Sequence, residues 1–404
     1  MAWDAGKRAA VDAVLSDVVR WRHHLHQHPE ISFHEHETAR FVRETLLTFP
    51  GIEVSSPTPT SVMGRLRGRP GGPVVAVRAD MDALPIQEEN DFDFASQNAG
   101  AMHACGHDGH TAMLLGAAKV LSGMRDELAG EVRLLFQHAE ELLPGGAQEM
   151  VAAGVMDGVD LVIGAHLWMP LAVGQVGVAE GPLTAAPDTF RIIVRGKGGH
   201  AAQPHMTVDP IAIGAEVVTN LQQVVARQVD PLDRLVVSVT RFAAGTADNI
   251  IPESAELWGT VRSFNPDLAA RVPELMERIV RGITEAHGAT YAFHYEHGYR
   301  SVVNDEKVTA WVREALTEAL GADHVVLGEP SMGGEDFSAF QQKAPGTFFM
   351  VGAGNPEKGI THPHHHPRFT VDEDAFAVGV AAFVSAIPSL LERAAADRSS
   401  AGKV

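Results

Sequence analysis

The chain has 404 residues, of which 45% are hydrophobic and 21% charged, and its formal net charge is −19. This length exceeds one compact core and predicts two domains, in a composition typical of globular proteins. The acidic balance argues against nucleic acid as a partner. No apolar run approaches the ~18 residues of a membrane span, and the N-terminus lacks the apolar stretch of a secretory signal.

The first part of the chain alternates between predicted helices and strands. Apolar spacing predicts helices over 11–25, 38–47 and 109–121, and short apolar runs predict strands over 74–77, 132–136 and 161–164. This alternation is typical of βαβ units and a largely parallel sheet.

Ionisable residues follow these three strands closely. Asp80 follows the first strand, Glu140 and Glu141 follow the second, and His166 follows the third. Because ligands bind beyond the carboxyl ends of the strands in open α/β sheets, we expect these side chains to converge on one crevice.

The middle of the chain has a different order. Strands are predicted over 190–195, 235–242, 255–262 and 291–295, with helices over 208–229 and 268–287. This β-α-β-β-α-β order predicts a ferredoxin-like domain. We therefore expect an α/β catalytic domain over 1–186 and 299–404, with a mixed, largely parallel sheet, interrupted by an inserted domain over 187–298. Residues 396–404 are expected to fray.

The segment 102–110 contains Cys105 and His107, in a chain with 21 histidines and one cysteine. A thiolate and an imidazole two residues apart suit zinc and similar metals. The alternatives are a buried, inert cysteine or a catalytic cysteine activated by a histidine. The single cysteine excludes an intramolecular disulfide and favours a reducing, cytoplasmic location.

Three further groups are candidates for the same site. In the pair Glu140 and Glu141, one carboxylate can bind a metal while the other takes a proton, although two solvated acids are the alternative. His166 is either a ligand or a buried histidine with its own partners. The run of histidines over 362–366 either supplies a ligand or forms a solvated loop.

Two elements of the middle segment indicate substrate binding. A glycine-rich turn over 196–200 ends in His200, with a plain turn as the alternative. Asn249 and Arg262 bring an amide and a guanidinium to the same predicted domain, and arginine is the natural bidentate partner of a carboxylate. A surface ion pair is the alternative for Arg262.

Nine motifs in order closely resemble the aminoacylase and glutamate-carboxypeptidase family of two-metal peptidases. The resemblance is closest to its amidohydrolase branch, with the hippurate and auxin-conjugate hydrolases, and it covers about residues 21–376. The motifs are RHHLHQHPEISFHE, RADMDALPI, MHACGHDGHTAMLLGAA, FQHAEE, GAHLWMP, GKGGHAAQPH, NIIPESAELWGTVRSF, GGEDFSAF and HHHPRF.

The resemblance implies five metal ligands: Cys105, His107, Glu141, His166 and His365. His365 is chosen because the last ligand of the family lies two positions before a proline, here Pro367. The neighbouring His364 and His366 remain alternatives. Glu140 matches the general acid/base of the family.

Other positions match supporting or substrate-binding residues. Asp80 matches an aspartate that orients a ligand, whereas Arg78 stands where wider relatives have a metal-binding histidine and is not counted in the site. In the family the inserted domain forms a homodimer, and its histidine, matched by His200, reaches the active site of the partner subunit.

Asn249 and Arg262 match positions that hold the substrate, and Gly334 lies in a loop that lines the substrate site. The family implies two divalent ions per subunit (Zn, Mn, Co or Ni) and hydrolysis of an N-acyl-L-amino acid to a carboxylate and a free amino acid. It also implies a homodimer or a tetramer. The alternatives are a dipeptidase or carboxypeptidase of the same family, a non-catalytic ligand-binding relative, and a cysteine hydrolase that uses Cys105.

Overall fold

The computed structural model describes residues 3–401. Its contacts divide the chain into two units. The main unit comprises Met1–Leu183, Val302–Pro330 and Asp336–Val404, and the inserted unit comprises Thr184–Ser301 and Ser331–Glu335.

The first part of the main unit carries four helices and seven strands: α1 (Ala5–Gln27), α2 (His36–Leu47), β1 (Ile52–Ser55), β2 (Val62–Arg67), β3 (Val74–Asp80), α3 (His107–Gly123), β4 (Glu131–Gln137), α4 (Gly146–Ala152), β5 (Leu161–Ala172), β6 (Val176–Val178) and β7 (Gly181–Thr184). The inserted unit follows with β8 (Ala186–Arg195), β9 (Gly199–His200), α5 (Pro210–Gln223), β10 (Leu235–Ala244), β11 (Ile250–Ile251), β12 (Ser254–Ser263), α6 (Pro266–Ala286) and β13 (Thr290–Glu296). The main unit resumes with β14 (Val302–Asn304), α7 (Glu306–Leu320), β15 (Val325–Leu327), α8 (Ser338–Gln341), β16 (Gly346–Gly354) and α9 (Asp374–Ala401).

Local sequence explains where several helices begin. Asp4, Asp209 and Asp305 precede α1, α5 and α7, and each side chain accepts a hydrogen bond from a backbone N–H of the first helical turn. Asn265 does the same for α6, which has Pro266 at its first position. Short polar side chains satisfy the otherwise unpaired N–H groups at a helix start, and proline has no N–H there to lose.

An eight-stranded sheet forms the centre of the main unit, in the order β1-β2-β4-β3-β5-β16-β6-β15. The pairs β3–β4, β3–β5, β5–β16 and β6–β15 are parallel, whereas β1–β2, β2–β4 and β6–β16 are antiparallel. This confirms the predicted mixed, largely parallel sheet. Strand β3 is buried from Val75 to Asp80, because helices cover its faces.

The inserted unit contains a four-stranded antiparallel sheet in the order β10-β12-β8-β13, and α5 and α6 pack on it. The residues of β12 alternate between buried and half-exposed, which is the pattern of a strand with one face on a core. A separate two-stranded ribbon pairs β9 with β11.

Helix α9 differs from two predictions. The first was that no apolar run approaches the length of a membrane span, but α9 is long and apolar enough to cross a membrane over Asp374–Ser400. Of its most apolar stretch, 78% is buried inside the protein, as in a core helix. The predicted fraying from residue 396 is wrong as far as Ala401, because α9 continues to that residue. The rest of that prediction, 402–404, lies outside the described residues.

Candidate metal centre

The residues predicted to follow three strands occupy three different positions. Asp80 is the last residue of β3. Glu140 and Glu141 lie in a loop after β4, which ends at Gln137. The prediction that His166 follows its strand is wrong, because β5 runs from Leu161 to Ala172 and His166 lies within it. Pairing with β16 extends this strand well past the apolar run that predicted it.

Cys105 and His107 stand at the start of α3, separated by Gly106. Gly106 has φ 92°, a left-handed conformation that glycine adopts without steric cost. This turn directs both side chains to one place. The Cys105, His107 and His166 ligand atoms lie within 4.8 Å of one another, and so do those of Cys105, Glu141 and His365.

The ring of His107 is held by Asp82. Nδ1 donates to the backbone carbonyl oxygen of Asp82 at 2.9 Å and lies 3.2 Å from its Oδ1. Nε2 is buried, has no hydrogen-bond partner among the described residues, and lies 3.9 Å from Oε1 of Glu141. A histidine whose Nδ1 proton is bound to a carboxylate or carbonyl presents a lone pair on Nε2, as metal-ligating histidines do.

His166 and His110 lie side by side but have different partners. Nδ1 of His166 donates to the carbonyl oxygen of Leu167 at 2.7 Å, and its Nε2 lies 3.5 Å from Sγ of Cys105. His110 uses both ring nitrogens, since Nδ1 donates to Asp80 Oδ1 at 2.6 Å and Nε2 accepts from the backbone N–H of Leu167 at 2.8 Å. His166 therefore has a nitrogen left for an ion, whereas His110 has none.

The charges around the cluster suit a cation. Burial alone would lower the pKa of His107, but Asp80 and Asp82 raise it to about 10, so that without an ion Nε2 carries a proton, which a bound cation would replace. Burial raises the pKa of the Cys105 thiol well above its usual range, and Glu141 and then Glu140 raise it further. A divalent ion would reverse the effect on the thiol, since a coordinating thiol is deprotonated. The donor set of thiolate, imidazole and carboxylate fits zinc and similar ions.

The loop that carries Glu140 and Glu141 is tightly bound by the protein. Its backbone N–H groups bind two buried carboxylates, from Glu141 to Asp82 Oδ2 at 3.0 Å and from Ala139 to Glu35 Oε1 at 2.7 Å. Glu140 is only 7% exposed. One of its oxygens lies within 4.8 Å of the ligand atoms of His107 and Glu141. The cluster therefore includes a carboxylate on each of two adjacent residues.

Among the last histidines, His365 reaches the cluster. Its Nε2 lies 3.2 Å from Oε1 of Glu141, whose carboxylate raises the pKa of His365. His364 instead stacks on Trp168 and accepts the backbone N–H of Met169 at 3.2 Å. The ring of His366 stacks on His362, and its Nδ1 accepts the backbone N–H of Arg368.

Asp80 lies beside the cluster, where it binds Arg78 and His110. Arg78 donates to Asp80 Oδ2 at 2.7 Å, to Gln137 and to Asp336. Burial opposes ionisation of Asp80, but Arg78, His107 and His110 hold its pKa well below the usual range. Asp80 Oδ2 lies 3.7 Å from His107 Nε2, beyond hydrogen-bond distance. Arg78 is thus a buried ion-pair partner, apart from the ligand cluster.

Sequence reasoning missed two residues that support the cluster, Asp82 and Glu35. Both stand within motifs used for the family resemblance, in RADMDALPI and HPEISFHE respectively. The available signal for Asp82 was a second carboxylate in the same short motif. Nothing in the spacing of Glu35 indicated that it binds a backbone N–H 104 positions away.

The inserted unit brings two of its predicted site residues together. His200 on β9 pairs with Ile250 on β11, and the carbonyl oxygen of Asn249 accepts the N–H of Ala201 at 3.1 Å. Arg262 lies on β12, in the other sheet of this unit, where its Nη1 donates to the carbonyl oxygen of Val261 at 3.1 Å. Burial lowers the pKa of its guanidinium.

Gly334 packs closely against Pro187 in the same unit. A Cβ atom at Gly334 would lie 2.7 Å from Pro187 Cγ, which is too short for a side chain. Close packing thus explains a glycine at this position of the predicted substrate loop.

Comparison with known proteins identifies the family. The model of the peptidase family M20/M25/M40 matches residues 76–389. An N-acyl-L-amino acid amidohydrolase of Geobacillus stearothermophilus is 65% identical over 294 residues, which cover 73% of this chain and 80% of that protein. Thermostable carboxypeptidase 1 of Saccharolobus solfataricus is 44% identical, over 90% of this chain and 93% of that protein.

Solved structures give the same result. A Bacillus subtilis protein described as a dinuclear metal binding peptidase from the M20 family is 40% identical, with a TM-score of 0.83. The match covers 94% of this chain and 99% of that chain. The resemblance read from the nine motifs is therefore confirmed, and the chain belongs to the peptidase family M20/M25/M40.

Proposed function

We propose that this protein hydrolyses the amide bond of N-acyl-L-amino acids and releases a carboxylate and a free amino acid. The observation that carries the proposal is the buried carboxylate of Glu140 beside the candidate ligands His107 and Glu141. A binding protein would need the ligands alone, whereas a hydrolase also needs a group that transfers protons. The 65% identical relative is named for this activity.

The metal ligands in this proposal are Cys105, His107, Glu141, His166 and His365. Two divalent ions, from among Zn, Mn, Co and Ni, would polarise the substrate carbonyl and lower the pKa of the attacking water. The free Nε2 of His107 and the nearby Sγ of Cys105 and Nε2 of His166 support this set. Asp82 then orients the ligand His107, and Asp80 orients His110, which packs beside the ligand His166.

Glu140 is the proton-transfer group of the proposed reaction. Its carboxylate takes a proton from the attacking water and donates it to the amine as the amide bond breaks. Burial excludes bulk water from this carboxylate, so the proton stays with the reacting groups. Glu141 stands next to it in the chain and keeps the ligand role, because its Oε1 lies near both His107 and His365.

Substrate binding is assigned to the inserted unit, for which we propose the lid and dimerisation role over 187–298. The order β-α-β-β-α-β and the antiparallel sheet support a ferredoxin-like domain. Arg262, half-buried, and Asn249 are proposed to bind the substrate carboxylate, with Gly334 in the loop beside the substrate. His200 of the partner subunit would donate to the oxyanion in a homodimer.

The cytoplasmic location expected from the single cysteine completes the proposal, since a reducing compartment protects a thiolate ligand.

The test is a release assay over a panel of N-acyl amino acids. Full-length protein is stripped with a chelator, reloaded separately with Zn, Mn, Co or Ni, and incubated with N-acetyl and N-benzoyl derivatives of several amino acids. We expect free amino acid to appear with at least one metal and to be lost after chelation. Tight binding of these compounds without release, in metal-loaded protein, would favour the non-catalytic alternative.

The carboxypeptidase relative at 44% identity supports a second candidate, the removal of a C-terminal amino acid from peptides. Both reactions cleave an amide next to a free carboxylate, so both would use the same residues. The two activities are distinguished by comparing N-terminally blocked dipeptides with N-acetyl amino acids that have the same C-terminal residue. The substrate with the higher kcat/KM identifies the activity.

A further inference from the structure

Three non-glycine residues have left-handed backbones in the described part of the chain, and two of them, Ala139 and His365, lie in the segments that carry candidate metal ligands. They are Phe33 with φ 68°, Ala139 with φ 47° and His365 with φ 65°. Such conformations are costly for residues with a side chain and persist only where surrounding contacts hold them. His365 is a candidate ligand, and Ala139 directly precedes Glu140.

One carboxylate oxygen joins two of these residues. Oε1 of Glu35 accepts the backbone N–H of Phe33 at 3.1 Å and the backbone N–H of Ala139 at 2.7 Å. The side chain of Glu35 is fully buried, and its Oε2 has no hydrogen-bond partner among the described residues. The carboxyl group is thus directed at the loop that carries Glu140 and Glu141.

Helix capping does not explain why Glu35 is buried. It stands at the N-cap of α2, where serine, threonine, asparagine or aspartate is favoured, and its side chain makes no bond to its own helix. A buried carboxyl group is costly unless hydrogen bonds compensate for lost water. Here the compensation comes from the N–H of Ala139 and from Phe33.

The loop before α2 makes further hydrogen bonds to the residues that support the cluster, in addition to those of Glu35. Ser32 donates to Asp82 Oδ2 at 2.7 Å, and the same oxygen accepts the N–H of Glu141. The carbonyl oxygen of Glu30 accepts the N–H of Ala83 at 2.8 Å. The loop is therefore bonded both to the segment that follows β3 and to the loop that follows β4.

We propose that Glu35 is a positioning residue whose Oε1 holds Ala139 in its left-handed conformation and thereby sets the positions of Glu140 and Glu141. Glu35 touches neither ligand nor substrate in this role. Without its oxygen, the N–H of Ala139 would lose its buried partner and the backbone would relax. Glu141 would then move away from His107 and His365, and Glu140 would move with it. The part that concerns Glu140 rests on the proposed function, whereas the part that concerns Glu141 needs only a bound metal.

Two substitutions test separately whether Glu35 acts through the length of its side chain or through its charge. In Glu35→Gln the amide oxygen keeps its place and can accept both N–H groups, and the NH₂ group replaces the unbonded Oε2. In Glu35→Asp the carboxylate is kept, but it is one methylene too short for Ala139. Glu44→Asp, an exposed glutamate on the same helix, is the matched control.

The probe is Co²⁺, added to the chelated full-length protein and followed by its visible absorption and its thiolate charge-transfer band. We expect Glu35→Asp to bind Co²⁺ ~10–100-fold more weakly, the usual effect of losing a residue that supports a metal ligand. Glu35→Gln and Glu44→Asp should bind it as the wild type does. Equal binding by Glu35→Asp and wild type, or equal losses in Glu35→Gln and Glu35→Asp, would overturn the proposal.

A kinetic measurement adds a second readout. At saturating metal, Glu35→Asp should lower kcat with little change in KM, because the substrate carboxylate is bound elsewhere in the proposed function. A rise in KM at unchanged kcat would contradict the positioning of Glu140. If the wild type binds Co²⁺ but releases no amino acid, the proposed function fails, while the Co²⁺ titrations still decide the role of Glu35.

Discussion

The Nδ1 atom of His107 lies 2.9 Å from the backbone carbonyl oxygen of Asp82 and 3.2 Å from its Oδ1. Asp82 Oδ2 accepts the backbone N–H of Glu141 and the hydroxyl of Ser32. One aspartate therefore orients one candidate ligand through its ring and a second through its backbone. This arrangement makes Asp82 a sensitive position, although it supplies no ligand atom to the cluster.

Asp82→Asn should weaken Co²⁺ binding by ~10–100-fold, as expected for a residue that supports metal ligands. In either orientation, the NH₂ group of the new asparagine faces a donor, either Nδ1–H of His107 or the backbone N–H of Glu141. Two donors cannot form a hydrogen bond with each other. Titration of the chelated protein with Co²⁺ measures the change. The exposed Asp323→Asn is the control, and equal affinities in both variants would show that Asp82 does not orient the ligands.

Glu140→Gln should lower kcat on the order of 10²–10⁴-fold through the loss of proton transfer. Its metal content should match the wild type, because the five proposed ligands are unchanged. Amino acid release and metal analysis are measured on the same preparation, with the exposed Glu127→Gln as control. Wild-type turnover in metal-loaded Glu140→Gln would exclude this residue as the acid/base.

Chelation and thiol alkylation distinguish a metal enzyme from a cysteine hydrolase. Burial and two carboxylates raise the pKa of the Cys105 thiol, so it is a weak nucleophile near neutral pH when no ion is bound. We expect a chelator to abolish amino acid release and added Zn, Mn, Co or Ni to restore it. Bound metal should also protect the thiol from alkylation. Activity that survives the chelator and is lost to the alkylator would assign the reaction to Cys105.

The two histidines His365 and His366 should behave differently when each is replaced by alanine. His365 lies 3.2 Å from Glu141 within the cluster, whereas His366 bonds to the backbone of Arg368. His365→Ala should lose more Co²⁺ affinity than the ~10–100-fold typical of supporting residues. His366→Ala should bind as the wild type does. The reverse order in the titrations would move the last ligand to His366.

The stability of the metal-free protein should depend on pH through Glu35. Burial, and then the charge of Asp82, raises the pKa of this carboxyl to about 7 from its ordinary 4.5. A raised acid pKa means that the protonated form favours folding, so its contribution is complete below pH 4.5 and is lost as the pH rises through about 7.

Urea unfolding of wild type and Glu35→Gln at pH values between about 5 and 8.5 measures this contribution. The wild type should lose up to about 3 kcal/mol more than Glu35→Gln across that range, because glutamine has no proton to lose. Parallel stability curves for the two proteins would show that the pKa of Glu35 is ordinary.

The architecture of the sheet was predictable because apolar runs and helical spacing are local signals. The strand around residue 161 shows the limit of this reasoning. Its apolar run ends near Gly164, yet β5 continues to Ala172 because β16 pairs beside it. The hydrogen bonds come from β16, which is far along the chain, and no residue near β5 in the sequence indicates this pairing.

The candidate ligands could be named from the motifs, whereas the residues that hold them in place could not. Residue type and spacing make Cys105 and His107 candidates, and the family resemblance makes His365 a candidate through the proline two positions after it. Asp82 and Glu35 act through backbone N–H and carbonyl groups, which every residue possesses. Only the folded chain specifies which of these groups a side chain meets.

The order of strands has a consequence for how the chain folds as it is made. Strand β16 lies between β5 and β6 in the sheet, although the whole inserted unit separates it from them in the chain. During synthesis, the edge of β5 therefore has no neighbour until residue 354 has emerged from the ribosome. An unpaired strand edge can associate with other chains. His365 follows β16 shortly afterwards, so the sheet closes and the metal centre gains its last candidate ligand at nearly the same moment.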